Sequence, residues 1–374
     1  MGDGRFRSAV VGCGAISDEH LRFLDATTLT NLEAVCDLSP ALAGLTADRF
    51  GARVACTDVD TLLADVAPDV VHVLTPPRTH PSLIRRCLAA GSHVICEKPL
   101  APSADETAAV LAAADSAGRR LIETRNLLYN DVVNAMDHAI ASDRFGEVRE
   151  VDVSLALDLS GADIPQEGLG LPGGLAHDYL PHLAYLLLHV TGTSDVPDAA
   201  LGVVRNLSGR AEIGFDHVDA MLSLGRVRAR VRISPDVAPS SLRLVARGTR
   251  GSVEADVYQP YLRLEGPPWV GKLAPFGLVV QGIGLARAGG RNLRHRLLQH
   301  GTYHGMARML DATYRALLDR RSPPVSAGDM IASALLIDRI VELTGRDPLA
   351  VAVVAPPRGA PIAGPTDAPA RSAP

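Results

Sequence analysis

Six short runs of β-branched and apolar residues fill the first 125 positions, each separated from the next by a stretch with helical spacing. Strands joined through helices must run parallel, because each crossover returns the chain to the same edge of the sheet. The runs lie over 8–11, 32–36, 53–55, 70–74, 93–96 and 120–124, with helices expected over 18–24, 40–50, 59–64, 81–90 and 103–117. The expectation is a doubly wound, Rossmann-type α/β domain over residues 1–125. Beyond it the rhythm changes. One helix (131–142) precedes runs of alternating residues over 148–157, 200–205, 218–224, 226–233, 241–246, 252–257 and 261–265. A helix over 175–190 interrupts them, and two more (303–319 and 327–344) follow. This pattern predicts a separate α+β domain over 126–350 on a mostly antiparallel open sheet. Residues 355–374 are rich in Pro, Ala and Gly and read as a disordered tail.

The composition, 47% hydrophobic and 21% charged, is that of a chain able to bury a core. A net charge of −5 offers no general attraction for phosphate backbones, so no nucleic-acid partner is expected. The five cysteines are odd in number and form no CxxC pair, which points to reduced thiols and the cytoplasm. No run approaches the ~18 apolar residues of a membrane span, and no signal-peptide core precedes the first strand. An open sheet face in the second domain needs cover, so a homodimer or homotetramer is expected.

The turn after the first strand, Gly12-Cys13-Gly14-Ala15-Ile16-Ser17, opens a helix, where backbone N–H groups and the helix dipole meet a diphosphate. Gly12 suits a tight turn and Gly14 lets a phosphate approach the backbone, while Ser17 stands where a third Gly or Ala is usual. Asp37 ends the second strand 23 positions after Gly14, close to the ~20-residue spacing at which an acidic side chain accepts from the adenosine ribose. Its carboxylate would repel a 2′-phosphate, and no Arg or Lys follows in residues 38–41, so NAD is expected over NADP. A turn or helix-capping role for Asp37 is the alternative.

Five segments occur in order: VVGCGAIS (10–17), CD (36–37), LTPPRTH (74–80), GSHVICEKPLA (91–101) and GGLAHDYLPH (173–182). Together they resemble the Gfo/Idh/MocA oxidoreductases, the glucose-fructose oxidoreductase and inositol dehydrogenase group. The resemblance implies that Gly12, Gly14, Ala15, Ile16, Asp37, Thr75, Pro76, His80, Glu97 and Lys98 line the cofactor, with Lys98 beside the nicotinamide and the reacting carbon. Local chemistry agrees with this placement. Lys98 follows a strand at the carboxyl edge of the sheet, where an ammonium stabilises developing alkoxide charge.

Asp178 and His182 are spaced i, i+4 on a predicted helix and leave the same face. His182 is the expected general acid/base, titrating near neutral pH, with Asp178 orienting or charge-tuning it. His177 and His189 sit at other helical angles and read as structural, and Pro181 is expected to kink the helix. Asn126 and Tyr129 are candidate substrate residues, but Leu128 and Asp131 occupy places where the family usually carries Arg and Pro. The basic segment 287–304 reads as a phosphate grip or, alternatively, a solvated or subunit-facing surface, and His300 and His304 lack partners at metal-ligand spacing. The expected activity is hydride transfer between a nicotinamide and a secondary alcohol or ketone of a sugar, polyol or activated sugar. The alternatives are an NAD-recycling glycoside-cleaving enzyme and a non-catalytic NAD-binding regulator.

Overall fold

β1 (Phe6–Val11) pairs in parallel with both β2 (Thr30–Cys36) and β4 (Val70–Val73). With β3 (Val54–Cys56), β5 (His93–Cys96) and β6 (Leu121–Glu123), the order is β3-β2-β1-β4-β5-β6, all parallel. The strand order reverses between β1 and β4, so a crevice opens there at the carboxyl ends of the strands. The computed structural model describes residues 5–142, 145–158, 171–194, 199–207, 209–266, 274–298 and 305–344. The expected tail over 355–374, and His300 and His304, lie outside the described residues.

The helices of this domain begin where the sequence supplies caps. Ser39 caps α2 (Pro40–Phe50), Asp58 caps α3 (Val59–Val66) and Ser103 caps α5 (Ala104–Ser116), each accepting from a backbone N–H of the first turn. α4 (His80–Ala89) enters through a 3₁₀ turn at Pro77–Thr79. α1 (Ser17–Ala26) has no side-chain cap. The glycine turn covers part of its first turn instead: Ser17 N donates to the Gly14 carbonyl at 3.0 Å and Glu19 N to the Ile16 carbonyl at 3.2 Å.

The second sheet has the order β13-β12-β11-β7-β10-β9-β8. Its strands are β7 (Val148–Asp158), β8 (Ala199–Arg205), β9 (His217–Leu224), β10 (Val227–Ser234), β11 (Asp236–Gly248), β12 (Ser252–Asp256) and β13 (Tyr261–Glu265). Only β7 and β10 pair in parallel. α6 (Asp131–Ile140), α7 (Gly174–Thr191) and α10 (Ala327–Val341) cover one face, and their apolar side chains join those of the strands in a single core. α7 runs through Pro181 without interruption.

The uncovered face differs from the surface that prompted the expectation of an oligomer. Arg228–Glu150 (2.6 Å), Arg230–Asp219 (2.6 Å) and Arg247–Asp152 (2.7 Å) bridge neighbouring strands there. Paired charges stay in water at little cost, so these positions need no partner to cover them. Exposed apolar bulk sits instead on α8 (Ala274–Leu298), a helix packed against β13, where Leu278 is 70% and Val280 60% exposed.

The chain also returns to its beginning. Met306, Met309, Leu310, Tyr314 and Leu317 of α9 (Met306–Leu318) pack among Val10, Leu21, Phe23 and Ile95. The boundary expected at residue 125 separates the two sheets, but the block 126–350 is not one packing unit. α9 completes the core of the first domain. No described helix is long and apolar enough to cross a membrane.

Candidate active site

The glycine turn is fixed by what crowds it. Gly12 has φ +97°, and a Cβ there would lie 2.8 Å from the Leu74 carbonyl carbon and 2.9 Å from the Thr75 nitrogen. Only glycine fits a left-handed backbone pressed so closely against the end of β4. A Cβ on Gly14 would meet nothing within 4 Å, so this side of the turn is open. Ser17 Oγ donates to the Gly14 carbonyl at 2.7 Å, a tie that a third glycine would not make. Asp37 accepts from Cys13 N and Ser39 N, both at 2.9 Å. Each carboxylate oxygen keeps a further lone pair, so the turn-holding and ribose-binding roles are compatible.

The loop after β4 carries Thr75, Pro76 and His80. Thr75 Oγ1 and Thr79 Oγ1 share a hydrogen bond at 2.6 Å. His80 is fully buried, with Nε2 2.6 Å from the Thr75 carbonyl and Nδ1 2.8 Å from the Pro99 carbonyl. It ties this loop to the turn that carries Lys98. Set between these two carbonyls, His80 joins the two loops that border the glycine turn and Lys98. Glu97 is similarly occupied, through His20 at 3.2 Å and the Lys98 N–H at 3.3 Å. The Lys98–Pro99 peptide is cis.

Lys98 and Asp178 meet across the two domains. Lys98 Nζ donates to Asp178 Oδ1 and to the Asp178 carbonyl, both at 3.1 Å, and both side chains keep some exposure, 16% and 27%. Asp178 therefore pairs directly with Lys98 and acts on His182 through its charge, which pulls the proton affinity of the imidazole upward. The hydrogen-bond partner of His182 is Tyr185, one turn further along α7. The Tyr185 hydroxyl lies 2.8 Å from His182 Nδ1, leaving Nε2 as the free ring nitrogen. Tyr185 is 1% exposed, and the Arg125 guanidinium stands 5.4 Å from its ring centroid. Sequence reasoning missed it, although an i, i+3 tyrosine on an apolar helix was the available signal.

His182 does not titrate near neutrality as expected. Burial and then the charge of Lys98 push it down to about 3, against opposing pulls from Asp178 and Glu97. The imidazole is neutral throughout the physiological range. The cluster thus holds one ion pair and one neutral base, an arrangement able to polarise an oxygen and accept its proton.

The other two histidines of α7 have local partners. His177, 2% exposed, accepts from Gly173 N at 3.3 Å and is pushed down to about 4 by burial, while His189 pairs with Asp137 at 2.9 Å. Asn126 is buried in a 3₁₀ turn (Asn126–Tyr129). Tyr129 lines a separate cavity of about 400 Å³ together with Arg125, Tyr185 and Asp329. Lys98, Asp178 and His182 are not among the residues lining that cavity. No cluster of metal-ligating side chains occurs among the described residues.

Known proteins agree with this fold. A profile of the Gfo/Idh/MocA oxidoreductase family, described as an NAD-binding Rossmann fold, matches residues 6–124. The chain is 30% identical over 278 residues to the dTDP-3,4-didehydro-2,6-dideoxy-alpha-D-glucose 3-reductase of Streptomyces violaceoruber, covering 70% of this chain and 78% of that protein. The chain belongs to the Gfo/Idh/MocA family. Another member, inositol 2-dehydrogenase of Rhizobium meliloti, is 27% identical over 68% of this chain and 76% of its own length. The fold matches the WlbA dehydrogenase of Bordetella pertussis, solved with NADH and UDP-GlcNAcA, with a TM-score of 0.74 over 91% of this chain and 96% of that one, at 20% identity. As a Gfo/Idh/MocA oxidoreductase, the chain pairs an NAD-binding Rossmann domain with a mostly antiparallel second sheet.

Proposed function

We propose that this protein transfers a hydride between a nicotinamide and a CH–OH carbon of a sugar, polyol or nucleotide-activated sugar, the substrate classes named for its relatives. The observation carrying the reading is the Lys98–Asp178 pair joining the two domains beside a neutral His182, at the carboxyl edge of the Rossmann sheet. The residues present fit a dinucleotide: the open side of Gly14, the uncapped start of α1 and the spare lone pairs of Asp37. When bound, the nicotinamide supplies the hydride acceptor. Lys98 holds the substrate oxygen and stabilises charge developing on it. His182 takes the hydroxyl proton on Nε2, which requires its own hydrogen on Nδ1, donated to the Tyr185 oxygen. Asp178 fixes the ammonium, and Tyr185 fixes the ring.

Asp37 supports NAD over NADP, because a 2′-phosphate would meet its carboxylate. Asp37→Ala is expected to narrow the NAD/NADP preference in kcat/KM by about tenfold or more, roughly one charge interaction of 1.4 kcal/mol. An unchanged ratio would place the ribose elsewhere. We also take the protein as a cytoplasmic homo-oligomer, supported by five free thiols and the exposed apolar side chains of α8.

The direct test mixes the protein with NAD or NADH and a panel of sugars, cyclitols and nucleotide sugars, reading nicotinamide absorbance. A ligand-dependent change is expected. No change with any ligand, together with no bound nicotinamide by fluorescence, would overturn the reading. Sugar release without net NADH would shift it to NAD-recycling glycoside cleavage.

A further inference from the structure

Behind Glu97, on the side away from the cleft, a chain of buried polar side chains crosses the first domain. His20 Nε2 lies 3.2 Å from Glu97 Oε1, and His20 Nδ1 lies 2.8 Å from His72 Nδ1. His72 Nε2 meets the Tyr314 hydroxyl at 2.8 Å. Tyr314 meets Ser8 Oγ at 2.6 Å, Ser8 meets Thr30 Oγ1 at 2.6 Å, and Thr30 donates to the Phe6 carbonyl at 2.9 Å. His20, His72, Tyr314 and Ser8 are fully buried and Thr30 is 2% exposed. The members come from α1, β4, α9, β1 and β2, so the returning helix α9 supplies the middle link.

Counting hydrogens decides how this chain is protonated. It makes six contacts, each needing one hydrogen between two heavy atoms. With Glu97 ionised and both imidazoles neutral, His20, His72, Tyr314, Ser8 and Thr30 bring one hydrogen each, which is five. An unfilled contact would set two lone pairs face to face in a dry interior, a costly arrangement. One added proton fills all six: His20 donates to Glu97 on one side, and on the other every group donates in turn from His20 toward the Phe6 carbonyl.

We propose that this chain holds one proton more than its neutral groups carry, on the His20–His72 pair, and that His20, His72 and Tyr314 are positioning residues that balance the carboxylate of Glu97 behind Lys98. Their link to the reaction rests on the proposed role of Lys98, whereas the stored proton does not. With the proton in place, Glu97 and the imidazole pair are together neutral, so the Lys98 ammonium keeps its ion pair with Asp178 free of competition from Glu97. Without it, the uncompensated Glu97 would compete with Asp178 and with substrate for that ammonium.

The surroundings agree. Burial raises the proton affinity of Glu97, but the hydrogen bond and charge of His20 and then the charge of Lys98 outweigh it and hold Glu97 at about 2. The count itself puts both hydrogens on His20, because His72 spends its own on Tyr314 and can only accept from His20 at Nδ1, and burial, then His20, hold His72 well below an ordinary imidazole. The other titratable groups facing the unit are Lys98, His80, Cys96 and His182 toward Glu97, Glu19 beside His20, and Tyr314.

Nitrogen-15 NMR of histidine-labelled, cofactor-free protein at pH 7.5 tests the proton directly, with His72→Gln assigning the resonances. One imidazolium is expected in the pair. Ser8→Ala removes two contacts and one hydrogen, so four contacts then meet four hydrogens and the imidazolium should disappear. Thr30→Val alters the count in the same way and serves if Ser8→Ala fails to fold. Two neutral rings in the wild type, or an imidazolium persisting in both variants, would overturn the stored proton whether or not the protein transfers hydride. Once a substrate is in hand, Ser8→Ala is expected to lower kcat/KM about tenfold. An unchanged value despite a lost imidazolium would overturn the positioning role.

Discussion

Lys98→Ala is expected to lower kcat/KM by about 10² to 10³-fold, the range typical for removing one preorganised group from developing oxyanion charge. The fall should appear mainly in kcat, because the ammonium interacts most strongly when the substrate oxygen carries most charge. The variant should fold. Lys98 and Asp178 are both partly exposed, so water can solvate the carboxylate left behind. Lys98→Arg should recover only part of the rate, since a planar fork cannot place one donor where the compact ammonium sits. Steady-state rates in both directions, with thermal melting as the control for folding, measure this. A kcat within about threefold of wild type would remove Lys98 from the chemistry.

Some of this was legible in the sequence because local chemistry specified it. The bounds of α2 follow from Ser39 as cap, Pro40 at the first helical position and Gly51 in the left-handed conformation just past the end. The glycine turn was legible for a comparable reason: the crowding at Gly12 leaves no other residue. α8 was not legible. Gly277, Gly282, Gly284, Gly289 and Gly290 interrupt its helical pattern, each costing roughly 1 kcal/mol against Ala, so local propensity argues against a helix. The amphipathic pattern of α9 shows that one face is buried but not against which sheet, and its docking on the first domain comes from tertiary packing.

The site divides along the same line. The i, i+4 spacing placed Asp178 and His182 on one face of α7, but the partner of Asp178 lies 80 residues earlier, in the other domain. No periodicity carries that information. His72 reads in VVHVL as one polar residue inside a buried strand, whereas its contacts come from α1 and from α9, 242 residues away. The titration of His182 was misjudged because residue type gives the unperturbed value, while burial and the approach of Lys98 set the actual one.

That last difference gives His182 a pH signature distinct from an ordinary catalytic histidine. His182→Asn is expected to lower kcat/KM by about 10² to 10⁴-fold, the contribution of a positioned general base. Because kcat/KM reports the free enzyme, and His182 there titrates at about 3, the wild type should show no His182-controlled acid limb between about pH 5 and 8. The substitution should therefore lower the profile without changing its shape over that range. The charge of Lys98 is one of the two forces holding His182 down, so Lys98→Ala should move its titration upward, and a limb absent from wild type should enter from the acid side. Stability follows the same sign. A histidine whose folded value is depressed is stabilising above its unfolded value near 6.5, and that contribution is lost as pH falls through the window down to about 3. A wild-type limb near 6.5 that vanishes in His182→Asn would show instead that the working cleft is wetter around this imidazole, with Lys98 further from it than the ion pair to Asp178 places it.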